Sequence, residues 1–219
     1  MKKIFLTLLV AVASVGASAQ GVKWEGQIGM NLSKFTTLES KVGFNVGVRA
    51  KLELPKLANG VYANAGALLS FKGGKVGNDE FGVTSSANYI EIPIHAGFQY
   101  DINDKFRVFG EFGPYFAIGL FGNTEGKMDL DARDFVDADY IDAAIAAGYD
   151  PELKYDESHS TFDEISRFDF GLGFRVGAEF KKKYIVSLGY DFGLLDLNKE
   201  KSLITTKSRN FWIGLGYRF

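Results

Sequence analysis

The chain has 219 residues with 25 Lys and Arg against 27 Asp and Glu, 26 glycines, no cysteine and 15% aromatic residues. A near-neutral balance does not ask for nucleic acid as a partner, and the lack of cysteine excludes both a disulfide framework and a lipid-bearing cysteine. Abundant glycine and aromatics with mean hydropathy near zero fit strands that meet an apolar medium on one face and a polar one on the other.

The N-terminal stretch carries Lys2 and Lys3, an apolar run from Ile4 to Val15, and small Ala17 and Ala19. This layout predicts a secretory signal peptide over residues 1–19, cleaved after Ala19, since the run is too short to span a bilayer as a helix. Without Lys2 and Lys3, residues 20–219 hold 23 bases and 27 acids.

Past the leader there is no run of 18 apolar residues, and what recurs is period-two alternation. Eight segments show it: Lys23–Ser33, Gly43–Leu54, Val61–Lys72, Asn88–Tyr100, Phe106–Phe121, Phe168–Phe180, Tyr184–Leu195 and Asn210–Phe219. Each is long enough for a tilted strand to cross a bilayer. In the second, Phe44, Val46, Val48, Ala50, Leu52 and Leu54 alternate with Asn45, Gly47, Arg49, Lys51 and Glu53. In the last, Phe211, Ile213, Leu215, Tyr217 and Phe219 share one parity, and Trp212 is the one large apolar residue on the other.

A soluble sandwich would alternate too, so the links must discriminate. Those after the second, fourth and sixth segments are tight, while those after the first, third, fifth and seventh are longer, and one runs from Gly122 to Arg167. Strict alternation of short and long links predicts short periplasmic turns and long exterior loops of an outer-membrane barrel. Parity also turns Trp24, Tyr100, Phe106, Phe180, Tyr184 and Phe219 outward at the short-turn end, as an interfacial aromatic girdle requires. The expected fold is all-β: a transmembrane, antiparallel, up-and-down β-barrel of eight strands over residues 20–219, with a long, mobile exterior loop at 122–167.

The same parity places Lys23, Glu25, Arg49, Lys51, Glu53, Glu91, His95, Arg107, Glu111, Asp169, Arg175, Glu179, Asp191 and Arg218 inside. An eight-stranded barrel is just wide enough for its own side chains, so these predict a plug before a channel. His95 and Glu91 sit about 13 Å apart along one strand, too far for direct acid-base work, though a cross-strand partner stays open. Glu157–Thr161 sets His159 between two serines and reads as polar loop filler, because neighbours in a loop rarely hold a triad's alignment. The carboxylates of Asp129–Asp142 fail the twelve-residue calcium motif, having Asp134 where Gly is needed and Tyr140 where Glu is needed. Val136, Tyr140, Ala143, Ala144 and Ala147 instead predict a short helix, with Gly148 as its stop. Pro93 and Pro114, opposite each other across a hairpin, predict a bulge or irregularity. No catalytic residue, cofactor or metal ligand is predicted.

The segments NYIEIPIHAGFQYD (88–101), EFGPYFAIGLFG (111–122), FDFGLGFRVGAEF (168–180), SLGYDFGLLDLN (187–198) and the terminal WIGLGYRF resemble the PorT-like outer-membrane β-barrel family of Bacteroidetes, small porin-like barrels of the cell envelope. The resemblance implies insertion by the barrel-assembly machinery through the C-terminal strand and its terminal Phe219. It implies no single activity, since some members serve secretion. The expected function is non-enzymatic: a monomer in the bacterial outer membrane, surrounded by its lipid, acting through its exterior loops on an unidentified surface ligand or in envelope integrity. The alternatives are a narrow pore for small solutes or a secretion accessory.

Overall fold

The computed structural model describes residues 21–36, 38–77, 81–131, 138–146, 148, 152–199 and 205–219, so the signal-peptide segment lies outside the described residues. Ten strands form: β1 (Val22–Phe35), β2 (Glu39–Glu53), β3 (Val61–Gly77), β4 (Phe81–Asp101), β5 (Phe106–Phe121), β6 (Asn123–Asp131), β7 (Glu152–Ser160), β8 (Phe168–Phe180), β9 (Tyr184–Gly193) and β10 (Ser208–Arg218). Eight of them, β1 to β5 and β8 to β10, close into an antiparallel barrel. Each pairs with its chain neighbour, β5 pairs with β8, and β10 returns to β1 over eleven paired positions from Glu25↔Arg218 to Phe35↔Ser208. All eight predicted segments are strands of this barrel. Among the described residues no helix is long and apolar enough to cross a membrane.

Closure leaves the eight wall strands without a free edge in the barrel, and the alternation then becomes outside against inside. Ile28, Met30, Phe44, Phe112, Val186, Ile213 and Leu215 are exposed on the outer wall. Of the predicted girdle, Tyr100, Phe106, Phe180, Tyr184 and Phe219 are exposed and Trp24 is half-buried. Phe106, Phe180, Tyr184 and Tyr217 run round the rim as neighbouring rings, with centroids 5.0, 6.5 and 5.6 Å apart in turn.

The inner wall explains the glycines. Several large aromatics of the wall strands point inward, and four of them lie across from a glycine that leaves room for the ring: Tyr62↔Gly97, Phe109↔Gly177, Tyr115↔Gly171 and Trp212↔Gly189. A Cβ at those glycines would fall 2.4, 2.6, 2.6 and 2.2 Å from the respective ring. Trp212, the exception in the last segment's alternation, is thus an inward ring accommodated by a missing side chain.

Three further expectations have different outcomes. Within the segment 122–167, residues 123–131 and 152–160 are strands of the sheet rather than mobile loop: β6 pairs with β7 from Asn123↔Ser160 to Asp131↔Glu152, and the hairpin is bonded to the projecting end of β4 through Phe81↔Met128 to Ser85↔Thr124. At 21 residues β4 is about 70 Å long, far more than a membrane strand needs, and its free length templates the hairpin. Glu157–Ser160 is therefore strand, and Thr161 opens the helical turn Thr161–Glu164. Second, Pro93 and Pro114 bring the expected irregularity without a bulge: pairing lapses between Pro93↔Tyr115 and Ala96↔Phe112 with the register kept, while the register shift falls at Asn88/Tyr89. The missing proline N–H removes ladder bonds without inserting a residue. Third, the predicted helix is present as Ala138–Ala146, with Gly148 at φ +86° donating its N–H to Ile145 O, whereas Val136 and Ala147 lie outside the described residues.

The aromatic-over-glycine arrangement is testable. Gly189→Val drives a side chain into Trp212 and is expected to lower unfolding free energy by about 1–3 kcal/mol in a urea titration of the detergent-folded protein. An unchanged midpoint contradicts the close fit.

Candidate functional site

The interior carries the charge that the outer wall excludes. Among the described residues six bases are buried, Arg49, Lys51, Lys72, Arg107, Arg175 and Arg218, and six acids, Glu25, Glu91, Glu111, Asp169, Glu179 and Asp191. The matching numbers make this lining neutral as a whole. Register sets opposite signs side by side on adjacent strands: Glu25↔Arg218, Glu25↔Arg49, Arg107↔Glu179 and Glu111↔Arg175.

Side chains then reach across the lumen. Arg175, fully buried on β8, donates Nη2 to Glu25 on β1, and its Nη1 lies 3.6 Å from Glu111 Oε1. Arg218 grips Glu179 with Nη1 and Nη2 at 2.6 and 2.7 Å. Lys51 on β2 reaches Glu179 at 3.2 Å. Tyr62 and Asn64 on β3 both donate to Glu111 Oε1 at 2.9 Å. Such groups are stable away from water only when paired in this way. Toward the exterior the network continues with Lys72–Glu91 at 2.6 Å, Tyr115 donating to Asp169 at 3.0 Å, and Asn210 donating to Asp191 at 3.0 Å. A void of about 10 Å³ among Gln27, Asn45, Glu91, Asp191 and Trp212 has room for about one water.

The two ends differ. At the short-turn rim Lys23–Glu53 at 2.8 Å is half-exposed, so these two predicted inward charges are rim residues. There Arg107 holds Asp101 through Nε and Nη2 at 2.6 and 3.0 Å, and this hydrogen bonding keeps the Asp101 carboxyl below its usual range. At the exterior mouth the turn Thr161–Glu164 dips inward and inserts Phe162 into a buried cluster with Phe35, Ala87, Tyr89, Tyr115, Ala117, Ile165 and Leu197. The ring sits over Gly119, where a Cβ would come within 2.3 Å. Thr161 anchors the turn by donating to Ser86 O at 2.9 Å, and Lys199 donates to Phe162 O at 2.5 Å. Phe162 was missed from sequence because it lies in an acidic stretch with no alternation. Lys72, also missed, shares the inward parity of Asn64 and Ser70 and was legible.

The residues weighed for chemistry are dispersed. Glu91 is spent on Lys72, and His95 finds a cross-strand carboxylate in Glu111, its Nδ1 3.7 Å from Oε2. That ring is packed against Gly113 and Gly173 and buried from solvent. His159 pairs with Glu164 at 2.9 Å, a strand-to-turn brace, and stands opposite Thr124. Asp129 and Asp131 lie on β6 and Asp142 on the helix, while Asp134 and Asp137 lie outside the described residues.

A family model described as an outer membrane protein beta-barrel domain matches residues 10–199. The chain belongs to that family. This barrel is therefore a bacterial outer-membrane protein, its outer wall facing lipid and its charged wall enclosed. No curated protein matches the chain in sequence. Solved structures with a similar fold include the attachment invasion locus protein Ail of Yersinia pestis, at 15% identity over 92% of this chain and 100% of that one, TM-score 0.42. They also include Neisserial surface protein A, at 11% over 91% and 98%, TM-score 0.44. A third is OprG of Pseudomonas aeruginosa, at 10% over 90% and 94%, TM-score 0.43.

Arg175 is the key tie in the network. Arg175→Met leaves Glu25 and Glu111 short of a cation and is expected to cost about 3–5 kcal/mol in unfolding free energy. The double change Arg175→Met with Glu25→Gln should recover part of it. A neutral single variant contradicts the cross-lumen tie.

Proposed function

We propose that this protein is a non-enzymatic outer-membrane scaffold that acts at the cell surface through the ledge formed by the β6–β7 hairpin of the acidic segment 122–167. The observation that carries the reading is the coupling of a filled barrel to a hairpin bonded onto β4. The ionic network and the Phe162 cluster occupy the lumen, and the β6–β7 hairpin extends one wall beyond it. Residues 122–167 contain 13 acids against four Lys and Arg, so the ledge suits a cationic surface partner. The PorT-like affiliation is part of this proposal and rests on the triplets at 91–93 and 113–115. A monomer inserted by the barrel-assembly machinery through the β10 strand and Phe219 is also part of it.

A narrow pore is the second reading, favoured by the charged lumen, and it requires the Phe162 turn to leave the mouth. Replacing residues 123–160 with a short Gly-Ser link tests both at once. The reading predicts that wild type is electrically silent in planar bilayers and retains a fluorescent polylysine on the surface of expressing cells, and that the shortened barrel folds but loses the polycation. Steady single-channel openings of wild type favour the pore, and undiminished polycation retention by the shortened barrel overturns the ledge.

A further inference from the structure

The lipid-facing seam between β1 and β10 changes character abruptly at its exterior end. Leu32 and Phe211 face each other in register, and the outward residues below them, Ile28, Met30, Ile213 and Leu215 among them, are apolar. The next outward pair is Lys34↔Arg209, again directly opposed, and Lys207 follows on the same parity beside Thr36, whose hydroxyl donates to Lys207 O at 3.1 Å. Lys34 is exposed, and Lys207 and Arg209 are half-buried. With strands about 4.8 Å apart and about 7 Å between alternate residues, three cationic heads share a patch about 10 Å across.

Like charges directly opposed across strands repel, and a cation at the edge of hydrocarbon is costly without an anion. At the opposite rim Lys23 and the buried Lys51 are opposed in the same way, but each has a carboxylate, Glu53 and Glu179. Among the described residues none of Lys34, Lys207 and Arg209 has an ion-pair partner. Among the described residues of the neighbouring loop the acid is Asp196, which already uses its Oδ1 to accept from the N–H groups of Asn198 and Thr206 at 3.2 and 3.0 Å. Arg209 is braced on the wall: its Nη1 donates to Gly193 O and Ser208 O at 2.8 and 3.0 Å, and its guanidinium lies 5.7 Å from the Phe192 centroid. The patch sets one braced guanidinium beside two lysines at the depth where outer-leaflet headgroups begin, above the exposed side chains of Leu32, Val42, Phe192 and Phe211.

We propose that Lys34, Lys207 and Arg209 form a binding site for the phosphate of an outer-leaflet lipid, whose acyl chains lie along Leu32, Phe192 and Phe211. The phosphate neutralises the opposed Lys34 and Arg209 and accepts charge-assisted hydrogen bonds from all three heads. The site is separate from the acidic ledge and requires nothing of it.

The test reconstitutes the folded protein in phosphatidylcholine nanodiscs containing a small fraction of either bis-phosphorylated lipid A or its dephosphorylated form, and counts retained lipid by native mass spectrometry. Each basic side chain near an anionic surface is worth about fivefold, so Lys34→Gln with Lys207→Gln and Arg209→Gln should lower retention about a hundredfold. Lys34→Gln with Lys207→Gln alone keeps the Arg209 brace and should lower it about 25-fold. Heat-modifiable electrophoretic mobility verifies that each variant is folded. Lys181→Gln, Lys182→Gln and Lys183→Gln at the opposite rim should leave retention unchanged. Equal retention of the phosphate-free lipid, full retention by the folded triple variant, equal loss in the opposite-rim variant, or displacement by inorganic phosphate would each overturn the proposal.

Discussion

One constraint governs this molecule: backbone N–H and C=O groups cannot be left unbonded in hydrocarbon. The solution is a sheet closed on itself, with β1 zipped to β10 over eleven positions so that no wall strand has an open edge. Closure converts a chemical alternation along each strand into a spatial one. Apolar side chains such as Ile28, Ile213 and Leu215 take the outside, and twelve acidic and basic side chains are enclosed. Neither arrangement is stable without the other, because the outer wall would collapse in water and the inner residues would be prohibitive in lipid.

The interior is more specific than a neutral filling. Four pairs of opposite charge are register partners on adjacent strands, and Arg175, Lys51 and Tyr62 then bridge strands that are not neighbours. Those bridges stiffen the cross-section, where backbone bonding ties each strand only to its immediate neighbours. The inward aromatics set against glycines work in the same direction. They fill space that a continuous rank of side chains on both strands could not share, and they account for part of an unusual glycine content. Above this, Phe162 closes the exterior mouth from a turn tied to Ser86 and Lys199.

The barrel was almost entirely legible in the sequence because its determinants are local. Period-two alternation marked all eight wall strands, and alternating link lengths gave the two ends. Parity correctly turned Glu25, Arg175 and Glu179 inward. It could not say that Arg175 meets Glu25, because 150 residues separate them and the contact depends on the barrel's stagger. The β6–β7 hairpin was illegible for a related reason. Asn123–Asp131 and Glu152–Ser160 each carry only two large apolar residues, Met128 with Leu130 and Leu153 with Tyr155, so their alternation is too short to stand out from an acidic loop, and pairing with each other and with the overhanging end of β4 makes them strands. The irregularity at Pro93 and Pro114 was legible because a missing donor removes ladder bonds, and it is a lapse rather than a bulge because no residue is inserted.

The exterior surface combines a basic lipid-facing rim at the β1/β10 seam with an acidic ledge on β4, and both project from a barrel whose wall and lumen are fixed by the same alternation. That alternation is the central claim, and single cysteines introduced in turn at positions 210 to 218 and labelled with an environment-sensitive fluorophore test it directly in bilayers containing brominated lipids. The account predicts strong lipid quenching at 211, 213, 215 and 217 and little at 210, 212, 214 and 216. Uniform quenching along the strand, or quenching with the opposite parity, would contradict it.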